Sequence, residues 1–579
     1  MAERFDPAGR RVLAVCIAAG FTTLLDQSVL NTSVPALRDS LHAQSAQIQW
    51  VVAGFSLAFG LALVPGGRLG DVRGRRTLFI TGLAVFTGFS LLSATATHPW
   101  TLVAARLLQG AGAGLVNSQM IGTIQDVFTG QQRARALGLY AVTGGLATAL
   151  GPPVGGLVLA LAGAQDGWRL TFLLNVPFGL LTLFLAARFL PPPRSSTGHP
   201  DLDPVGLVLV AALTLVVMVP FVQPPGAVGA VGYLAAAGVL AALFVHWQRR
   251  YARAGRHPLV HPALARSRPF ALGTVVAMAQ FGSSIAAGLV LIMFLQDGLG
   301  MSPMGAAVVS LPAALAMGLS SALAWRVVRR FGRHTVTAGM ALSAVALLAG
   351  GLVALRAPAA VLPVALALIQ FCGGIAIGLV NAPNQAAVLR HAPAEAAGVG
   401  GAILQMSQRI AAAVGVSALS GVYLRGTSAG DGSGHRTAYF YASATCAAIA
   451  AAAVVVSVFA ARAAEASPLP AALVPAEPLP AAPRPPGPLP VDGRGPRDPA
   501  ARVPAAGPGR PDGPAPAPGP APALAPAPDR SLSGRHVRSR LRARAPDAPE
   551  RHVRLPPDTS WANRQHRHVS TTDEEEERT

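Results

Sequence analysis

Fourteen apolar stretches run through the chain, and most are as long as a helix that crosses a lipid bilayer. At a rise of ~1.5 Å per residue, roughly 20 apolar residues match the ~30 Å hydrocarbon core of a membrane. Backbone groups in that core must be paired within the segment, which favours helices. The sequence therefore predicts an all-α integral membrane protein with fourteen transmembrane helices, at residues 12–33, 50–69, 77–97, 100–122, 136–162, 170–190, 205–222, 227–245, 271–295, 304–324, 336–355, 359–380, 398–424 and 438–461.

The chain has few charged residues, and most of them are basic. Only 12% of the residues are charged, about half the share in soluble domains. The 46 basic residues are all arginine and exceed the 26 acidic residues, so the net charge is +20. These arginines are scattered over short loops rather than gathered in a patch with aromatic residues, so we expect no nucleic-acid partner.

The chain has three cysteines, and Cys16, Cys372 and Cys446 each lie in an apolar run. Their spacing fits neither a disulfide framework nor a metal site, so they are interpreted as small hydrophobic residues. The sequence shows no nucleophile with a base and no phosphate-binding glycine loop. We therefore expect no metal, no cofactor and no enzymatic activity.

Arginine is concentrated in alternate loops between the spans, at residues 4–11, 68–76, 133–135, 249–268 and 326–333. Loops that remain in the cytoplasm collect Lys and Arg, so these loops are predicted to be cytoplasmic. With an even number of spans, both termini are then cytoplasmic, in a multi-pass protein of the cell membrane. The basic segment at residues 1–11 precedes a span that is too long for a signal peptide, so we expect both to be retained in the mature protein.

A weak internal repeat divides the spans into groups. The basic loop at 67–76 after the second span is echoed at 326–334 after the tenth, which indicates two six-helix bundles with a substrate site between them. A composition rich in Pro, Ala, Gly and Arg predicts a disordered cytoplasmic tail, most simply a solvated tether. The predicted units are a first bundle at 1–195, two inserted helices and a loop at 196–268, a second bundle at 269–462 and the tail at 463–579.

Asp26 is the only carboxylate predicted to lie well inside a span. A charge in the hydrocarbon region costs several kcal/mol and is kept mainly where it functions. Thr22, Thr23 and Ser33 extend a polar stripe on the same helix face. Asp26 is therefore a candidate for reversible protonation. The alternative is a structural hydrogen-bond or ion-pair partner.

Arg106 is the predicted partner of Asp26. Counted from the outer ends of their spans, the two residues lie at about the same depth, roughly 9–10 Å at 1.5 Å per residue. We predict that they face each other and that protonation of Asp26 releases Arg106 and biases opening of the bundle. A pair that only joins two helices is the alternative.

The loop after the second span contains Gly67, Asp71, Gly74, Arg75 and Arg76. A carboxylate in a short loop can cap the next helix or pair with arginine. The loop is therefore predicted to act in gating, as a latch between the two bundles on the cytoplasmic side.

Two spans contain glycine-rich segments. Small residues follow Arg106 in span 4 and allow close approach of neighbouring backbones. Span 5 contains Gly151, Pro152, Gly155 and Gly156. Proline removes a helical hydrogen bond and bends the axis, so a kink is predicted there.

Together these segments resemble motifs of the major facilitator superfamily. Residues 67–76 resemble its loop signature, 106–112 its fourth-helix motif, and 151–156 the fifth-helix motif of its antiporters. Residues 25–35 and 168–177 are similar to hallmarks of its fourteen-helix drug:proton antiporter branch, a family of multidrug efflux transporters.

The resemblance covers about residues 10–462 and implies a major facilitator fold. It also implies export of a small amphipathic compound in exchange for protons by alternating access, driven by the proton gradient. In that family pattern Asp26 and Arg106 take part in coupling and Asp71 in gating. Val72 departs from the loop signature, where Arg is frequent, and this departure weakens one contact of the latch.

The second predicted bundle has no deep acid, in contrast with relatives that export dications, so a neutral, zwitterionic or monocationic substrate is favoured. Arg409 is predicted near the midplane, where it either binds an anionic or polar group of the substrate or holds helices together by hydrogen bonds. The candidate residues of the substrate cavity are Gln27, Gln109, Asn117, Gln280, Ser284, Gln405 and Arg409.

The predicted function is proton-coupled efflux of small organic compounds such as drugs or antibiotics. We expect a monomer in the lipid bilayer whose partners are small molecules and protons. A narrow exporter or importer of one metabolite would keep the same motifs. A non-transporting receptor or scaffold that recruits partners through the tail is a further alternative, but it would not need Asp26, Arg106 and the Gly151 motif together.

Overall fold

A computed structural model of the protein describes residues 5–192, 201–332, 334–392, 397–427 and 434–466. Within these ranges every regular element is helical, which confirms the predicted fold class. The elements are α1 (Pro7–Ser40), α2 (Ser45–Arg73), α3 (Arg75–Ala94), α4 (Pro99–Val127), α5 (Gly130–Leu173), α6 (Asn175–Phe189), α7 (Pro204–Val222), α8 (Ala227–Arg253), α9 (Pro262–Arg266), α10 (Arg268–Met293) with its π-helical continuation η1 (Phe294–Gly298), α11 (Pro303–Phe331), α12 (His334–Arg356), α13 (Leu362–Arg390), α14 (Ala397–Thr427) and α15 (Gly434–Ala466).

The long helices account for the predicted spans. Thirteen described segments are long and apolar enough to cross a membrane. α4, with 29 residues, is long enough to be the fourteenth but is less apolar, because Arg106, Gln109 and Asn117 lie in its middle. The protein is therefore a multi-pass membrane protein, and the short α9 is a connecting element.

The long helices form two halves that repeat the same packing. The first half is α1–α6 and the second is α10–α15, with α7 and α8 inserted between them. α1 packs on α5 as α10 packs on α14, α2 packs on α4 as α11 packs on α13, and α3 packs on α6 as α12 packs on α15. The predicted six-helix pseudo-repeat is thus present in the packing, although the sequence echo between the halves is weak.

The two halves meet along α2 with α14 and along α5 with α11. One apolar core cluster is common to both halves and joins Leu30 and Val34 of α1 to Val290 and Phe294 of the second half. The backbones come close together, since a Cβ added at Gly60 of α2 would lie within 3.3 Å of the Met406 carbonyl oxygen of α14.

The predicted fifth span at 136–162 corresponds to the membrane-length segment Arg135–Gly163, beyond which α5 continues. It remains a helix through Pro152 and Pro153, and Gly163 is the residue inside it with non-helical angles, φ 80° and ψ 159°. Glycine adopts such angles without a Cβ clash. The next membrane-length segment begins at Asp166, four residues before the predicted 170. The break in the chain direction therefore lies beyond the prolines, and a bend at Pro152 itself stays a prediction.

The predicted tail lies almost wholly outside the described residues. α15 continues to Ala466, so the predicted tail boundary at 463 falls inside a helix. All of the described helices belong to one compact unit of the chain, Met1–Pro483.

Arg68 connects the first half to the inserted pair. We call the end of the bundle where α2 ends and α3 begins the basic end. There Arg68 of α2 donates hydrogen bonds to the carbonyl oxygens of Asp201 and His257, both at 2.9 Å, and of Pro258 at 2.6 Å. These carbonyls lie in the segments before α7 and after α8, so one guanidinium holds both segments.

Asp203 is a buried carboxylate at the same end and caps α7. Its Oδ1 accepts hydrogen bonds from the Gly206 amide at 2.9 Å and Trp247 Nε1 at 2.8 Å. Its Oδ2 accepts from Gln248 Nε2 at 2.6 Å and the Leu259 amide at 2.8 Å. Four donors satisfy this carboxylate, which the sequence places only in a loop.

Candidate functional site

Asp26 lies in a fully enclosed polar cluster of the first half. Its Oδ2 is 2.7 Å from Nη1 of Arg106, and both side chains are only 1% exposed. Its Oδ1 accepts hydrogen bonds from Asn175 Nδ2 at 2.6 Å and Gln109 Nε2 at 3.1 Å. Ser90 Oγ accepts from the same two amide groups, at 3.2 Å and 2.8 Å. Helices α1, α3, α4 and α6 thus each supply part of one network.

Arg106 is held on several sides. Its Nη1 also donates to Gln109 Oε1 at 2.8 Å, one turn further along α4, and its Nε lies 3.5 Å from the Val51 carbonyl oxygen. The guanidinium stacks on the ring of Phe55 at 4.1 Å and lies 5.5 Å from the ring centre of Phe172. A guanidinium with these fixed contacts is oriented towards Asp26 rather than free to move.

The described contacts of Asp26 suit a carboxylate that accepts hydrogen bonds on both oxygens. Every group that contacts its oxygens is an N–H donor, from Arg106, Gln109 and Asn175. A protonated carboxyl also has an O–H to donate, so it requires a new acceptor, such as a turned amide or Ser90 Oγ. Binding of a proton would therefore reorganise the contacts between α1 and α4, and it would remove the charge that Arg106 neutralises.

Close backbone packing brings α4 to this position. A Cβ added at Gly112 would lie 2.7 Å from both the Gly82 carbonyl oxygen and the Phe86 amide nitrogen of α3. These distances are too short for any side chain. The small residues after Arg106 thus position the helix that carries it.

The loop motif after α2 makes its contacts within the first half. Asp71 Oδ1 is 2.8 Å from Arg75 Nη2, and Arg75 Nε is 2.7 Å from Asp126 Oδ2 at the end of α4. Arg76 donates to the Ala187 carbonyl oxygen of α6 at 2.5 Å. Gly74 forms the turn with φ 92°, an angle that favours glycine.

The predicted latch between the two halves is therefore absent among the described contacts of this loop. Asp126 supplies the carboxylate that draws Arg75 back onto the first half, because the end of α4 lies beside the start of α3. A Cβ at Gly67 would meet nothing within 4 Å. A cavity of about 330 Å³ lies against the loop, bordered by Asp71, Arg75 and Asp126 among others.

The glycines of the fifth-helix motif face two different helices. A Cβ at Gly151 would clash with Ser28, and one at Gly155 would lie 3.0 Å from the Val29 carbonyl oxygen, both of α1. A Cβ at Gly156 would lie 3.0 Å from Cα of Met304 in α11 of the second half. The motif thus sits where the first half contacts the second, beside the helix that carries Asp26.

Two of the predicted cavity residues meet between the halves. Arg409 of α14 donates from Nη1 to Gln27 Oε1 of α1 at 2.6 Å. Gln27 donates in turn from Nε2 to Ser56 Oγ of α2 at 3.0 Å. Gln27 follows Asp26 directly in the chain, so the polar cluster and the interface between halves share one turn of α1.

The other cavity candidates lie apart from this contact or on its border. Asn117 donates from Nδ2 to the Tyr140 hydroxyl at 3.0 Å. Gln280 donates from Nε2 to Ser284 Oγ at 2.8 Å, within α10. Gln405 is partly buried one turn before Arg409 on α14. Gln109 belongs instead to the enclosed cluster around Asp26.

Sequence reasoning missed several polar residues of the site. Asn175 and Ser90 carry no charge and lie in spans far from Asp26 in the chain, so only the fold brings them together. The ion pair between Arg38 and Asp297 was also missed; Arg38 lies in the loop after the first predicted span and Asp297 just beyond the end of the ninth. Among the described residues, no group of three or more His, Cys, Asp or Glu is arranged to hold a metal.

Two six-helix halves that repeat the same packing are the architecture of a class of membrane transporters. The sequence model of the Major Facilitator Superfamily matches residues 16–416. The chain belongs to this superfamily, and its function is transport rather than enzymatic catalysis.

Similar proteins include antibiotic exporters. The chain is 35% identical over 351 residues to the probable actinorhodin transporter of Streptomyces coelicolor. This match covers 59% of this chain and 60% of that protein, so the chain spans less than two thirds of the relative's length. It is 30% identical over 413 residues to the tetracenomycin C resistance and export protein of Streptomyces glaucescens, covering 70% of this chain and 74% of that protein.

The fold is also found among solved structures. A crystal structure of peptide transporter POT in complex with sulfate superposes with a TM-score of 0.58 and 16% identity, over 80% of this chain and 96% of that one. At this identity the likeness concerns the fold alone.

Proposed function

We propose that the protein is a proton-coupled antiporter that exports small amphipathic organic compounds across the cell membrane by alternating access. The observation that carries the proposal is the enclosed pair of Asp26 and Arg106, 2.7 Å apart. Within the described residues, Asp26 is the only carboxylate buried in the middle of a membrane-length helix. An isolated acid of this kind marks a proton or ion pathway more often than a structural contact.

Asp26 serves as the proton carrier in this proposal, and Arg106 as the group that responds to its charge. When Asp26 is ionised, Arg106 holds α4 against α1. When Asp26 takes up a proton, the ion pair is lost, and the helices that share the cluster change their contacts. Substrate then leaves on one side of the membrane and protons enter from the same side.

The position of Asp26 on α1 supports coupling to movement of the halves. Its neighbour Gln27 contacts Arg409 of the second half, and the next two residues, Ser28 and Val29, pack on the glycines of α5. A change at Asp26 therefore acts on the helix that lies at the interface.

The relatives support export as the direction of transport. The tetracenomycin C relative is named a resistance and export protein, and the actinorhodin relative is named a probable transporter. We infer that the partners of the protein are small molecules, protons and the lipid bilayer. We further infer that it acts as a monomer with both termini and the basic end in the cytoplasm.

The test is proton-coupled transport in inverted membrane vesicles. Native protein, Asp26→Asn, Asp166→Asn and a chain truncated after Ala466 are compared with a panel of dyes and antibiotics. Asp166 is the matched control, because it is an exposed acid that pairs with Arg169. We expect native vesicles to move compounds with release of protons, Asp26→Asn to stop this exchange, and the control and the truncated chain to retain it.

Proton exchange that persists in Asp26→Asn would refute the assignment of the carrier. Native vesicles that move nothing in a broad panel would favour the narrow transporter or the non-transporting scaffold. Native vesicles that move one metabolite and nothing else in the panel would favour the narrow transporter over the multidrug exporter.

A further inference from the structure

Arg409 is a buried arginine at the interface between the halves. It is 6% exposed and donates one hydrogen bond, to the neutral amide oxygen of Gln27 at 2.6 Å. The ring centres of Phe59 and Phe281 lie 4.0 Å and 5.2 Å from its guanidinium carbon. α1 and α2 of the first half, together with α10 and α14 of the second, therefore surround one positive charge.

No described carboxylate neutralises Arg409. The other arginine buried to this degree, Arg106, has Asp26 at 2.7 Å. Asp26 is next to Gln27 in the chain, but Arg106, Gln109 and Asn175 already occupy its oxygens. A buried charge without a counter-ion is strongly unfavourable, so its retention requires another reason.

Asn117, which is bonded to Tyr140, and Gln280, which precedes Phe281 in the chain, each have a buried oxygen without a partner. The Tyr140 hydroxyl accepts a hydrogen bond from Asn117 at 3.0 Å, and Tyr140 is close enough to Arg409 to interact with its charge. The two buried oxygens are Asn117 Oδ1 and Gln280 Oε1. Each of these two oxygens can accept a hydrogen bond.

We infer that Arg409 is the binding site for an anionic group, a carboxylate or a phenolate, on the exported compound. The guanidinium has five N–H donors and one is used, so it can bind an anionic oxygen pair in the two-point manner typical of arginine. Phe59 and Phe281 fix its plane and offer apolar surface to an aromatic body. This inference rests on the proposed export function and specifies its substrate class, an amphipathic aromatic anion.

The anion-binding site at Arg409 lies beside the proton-binding residue Asp26 but does not include it. An anion on Arg409 would displace or share the contact with Gln27, which follows Asp26 on α1. Substrate binding would thus loosen the direct contact between the halves that Arg409 makes with Gln27. The inference therefore departs from the expectation of a neutral, zwitterionic or monocationic substrate, because of these only a zwitterion carries a negative group.

The test is ligand-dependent thermal stability of the purified full-length protein. The probes are naphthoate, anthracene carboxylate and anthraquinone carboxylate, each paired with its neutral carboxamide. We expect the carboxylates to raise the unfolding midpoint of the native protein. The carboxamides should bind at least about tenfold more weakly, because they lose a charge-assisted two-point contact with the guanidinium. Arg409→Gln should abolish the difference, and Arg409→Lys should retain part of it.

Arg425→Gln is the matched control, because Arg425 lies on the same helix, is exposed and donates to the Phe221 carbonyl oxygen. This variant should behave like the native protein. Without ligand, Arg409→Gln should unfold at the same temperature as the native protein or higher, because it removes a charge that has no counter-ion.

Three results would overturn the inference: carboxylates that shift nothing, equal shifts by carboxylate and carboxamide, or a carboxylate preference that survives in Arg409→Gln. A lower unfolding midpoint of unliganded Arg409→Gln would assign Arg409 to helix packing instead. Binding to detergent-solubilised protein needs no proton gradient. A negative result in the thermal-stability experiment therefore does not bear on proton-coupled export, which the vesicle experiment tests. A negative result in the vesicle experiment likewise does not bear on anion binding.

Discussion

Arg38 and Asp297 join the two halves at the end of the bundle opposite the basic end. Nη1 of Arg38 is 2.9 Å from Oδ2 of Asp297, and Nη2 is 3.2 Å from Oδ1. Arg38 lies in the last turn of α1, and Asp297 lies in η1, the π-helical continuation of α10. Close by, Gln296 Nε2 donates to the Thr32 carbonyl oxygen at 3.0 Å. This end of the interface is therefore closed by polar contacts as well as by the common apolar core.

The first prediction concerns the strength of this closure. Arg38→Gln should shift the conformational equilibrium towards separation of the halves at this end. A partly exposed ion pair contributes about 0.2–1 kcal/mol, so the population ratio should change about 1.4- to 5-fold. Spin labels at Ser45 and Ala360, which are both exposed and lie in different halves, would report the change as a longer distance in pulsed electron resonance.

The charge-swapped double variant is the control for this experiment. Arg38→Asp with Asp297→Arg keeps both charges and should return the distance distribution towards that of the native protein. Labels are introduced in a Cys372→Ser background, because Cys372 is an exposed thiol. An unchanged distribution in Arg38→Gln would show that the apolar core alone closes this end.

The second prediction concerns the packing of α4. Gly112→Ala should lower the free energy of unfolding by about 1–3 kcal/mol, because the added methyl group collides with the backbone of α3. Gly88→Ala, on α3 with nothing within 4 Å of the added Cβ, should be neutral or stabilising by about 0.4–1 kcal/mol. Thermal unfolding in detergent measures both, and equal effects would contradict the close contact at Gly112.

Most of the fold could be predicted because membrane helices are local in sequence. Length and hydropathy define each span without reference to the others. The described helices accordingly match the predicted spans, apart from their ends. The predicted end of the fifth span at residue 162 coincides with the break at Gly163, whereas the two prolines on which the kink was predicted lie within continuous helix.

The contacts within the site were harder to predict from the sequence, because they depend on how each helix is rotated about its axis. The equal depth of Asp26 and Arg106 follows from counting residues, and the structure places the two together. Asn175 and Ser90 give no such signal, since a neutral amide or hydroxyl inside a span has many possible partners. The 259 residues that separate Arg38 from Asp297 place that pair beyond any local pattern.

The third prediction concerns the shape of the cation beside Asp26. Arg106→Lys keeps the charge but cannot contact Asp26, Gln109 and the Phe55 ring at once. Each hydrogen bond lost from a charged group costs about 1.5–3 kcal/mol, so this variant should be less stable by at least that amount and should lose substrate-driven proton release. Arg169→Lys, a partly exposed control that caps carbonyl oxygens, should retain both properties.

The last prediction follows from the loop carboxylate Asp201 at the basic end. Burial raises the pKa of this carboxyl, but the hydrogen bonds from the Tyr251 hydroxyl and the His257 amide, with the charge of Arg68, outweigh it and hold the pKa below its ordinary value. These bonds connect the segment before α7 to the end of α8. Protonation of Asp201 would weaken that connection.

Because the pKa of Asp201 is lower in the folded than in the unfolded protein, its contribution to stability is present at neutral pH and is lost as the pH falls through the folded-state value, below about 4. Asp201→Asn should therefore unfold at a lower temperature than the native protein at pH 7, and the difference should shrink towards pH 3. Asp39→Asn, which removes an exposed acid paired with Arg38 on α1, controls for the loss of one negative charge. Thermal unfolding of the three proteins across this pH range provides the measurement. A gap that stays constant with pH would mean that hydrogen-bond geometry at Asp201, rather than its charge, holds the inserted helices in place.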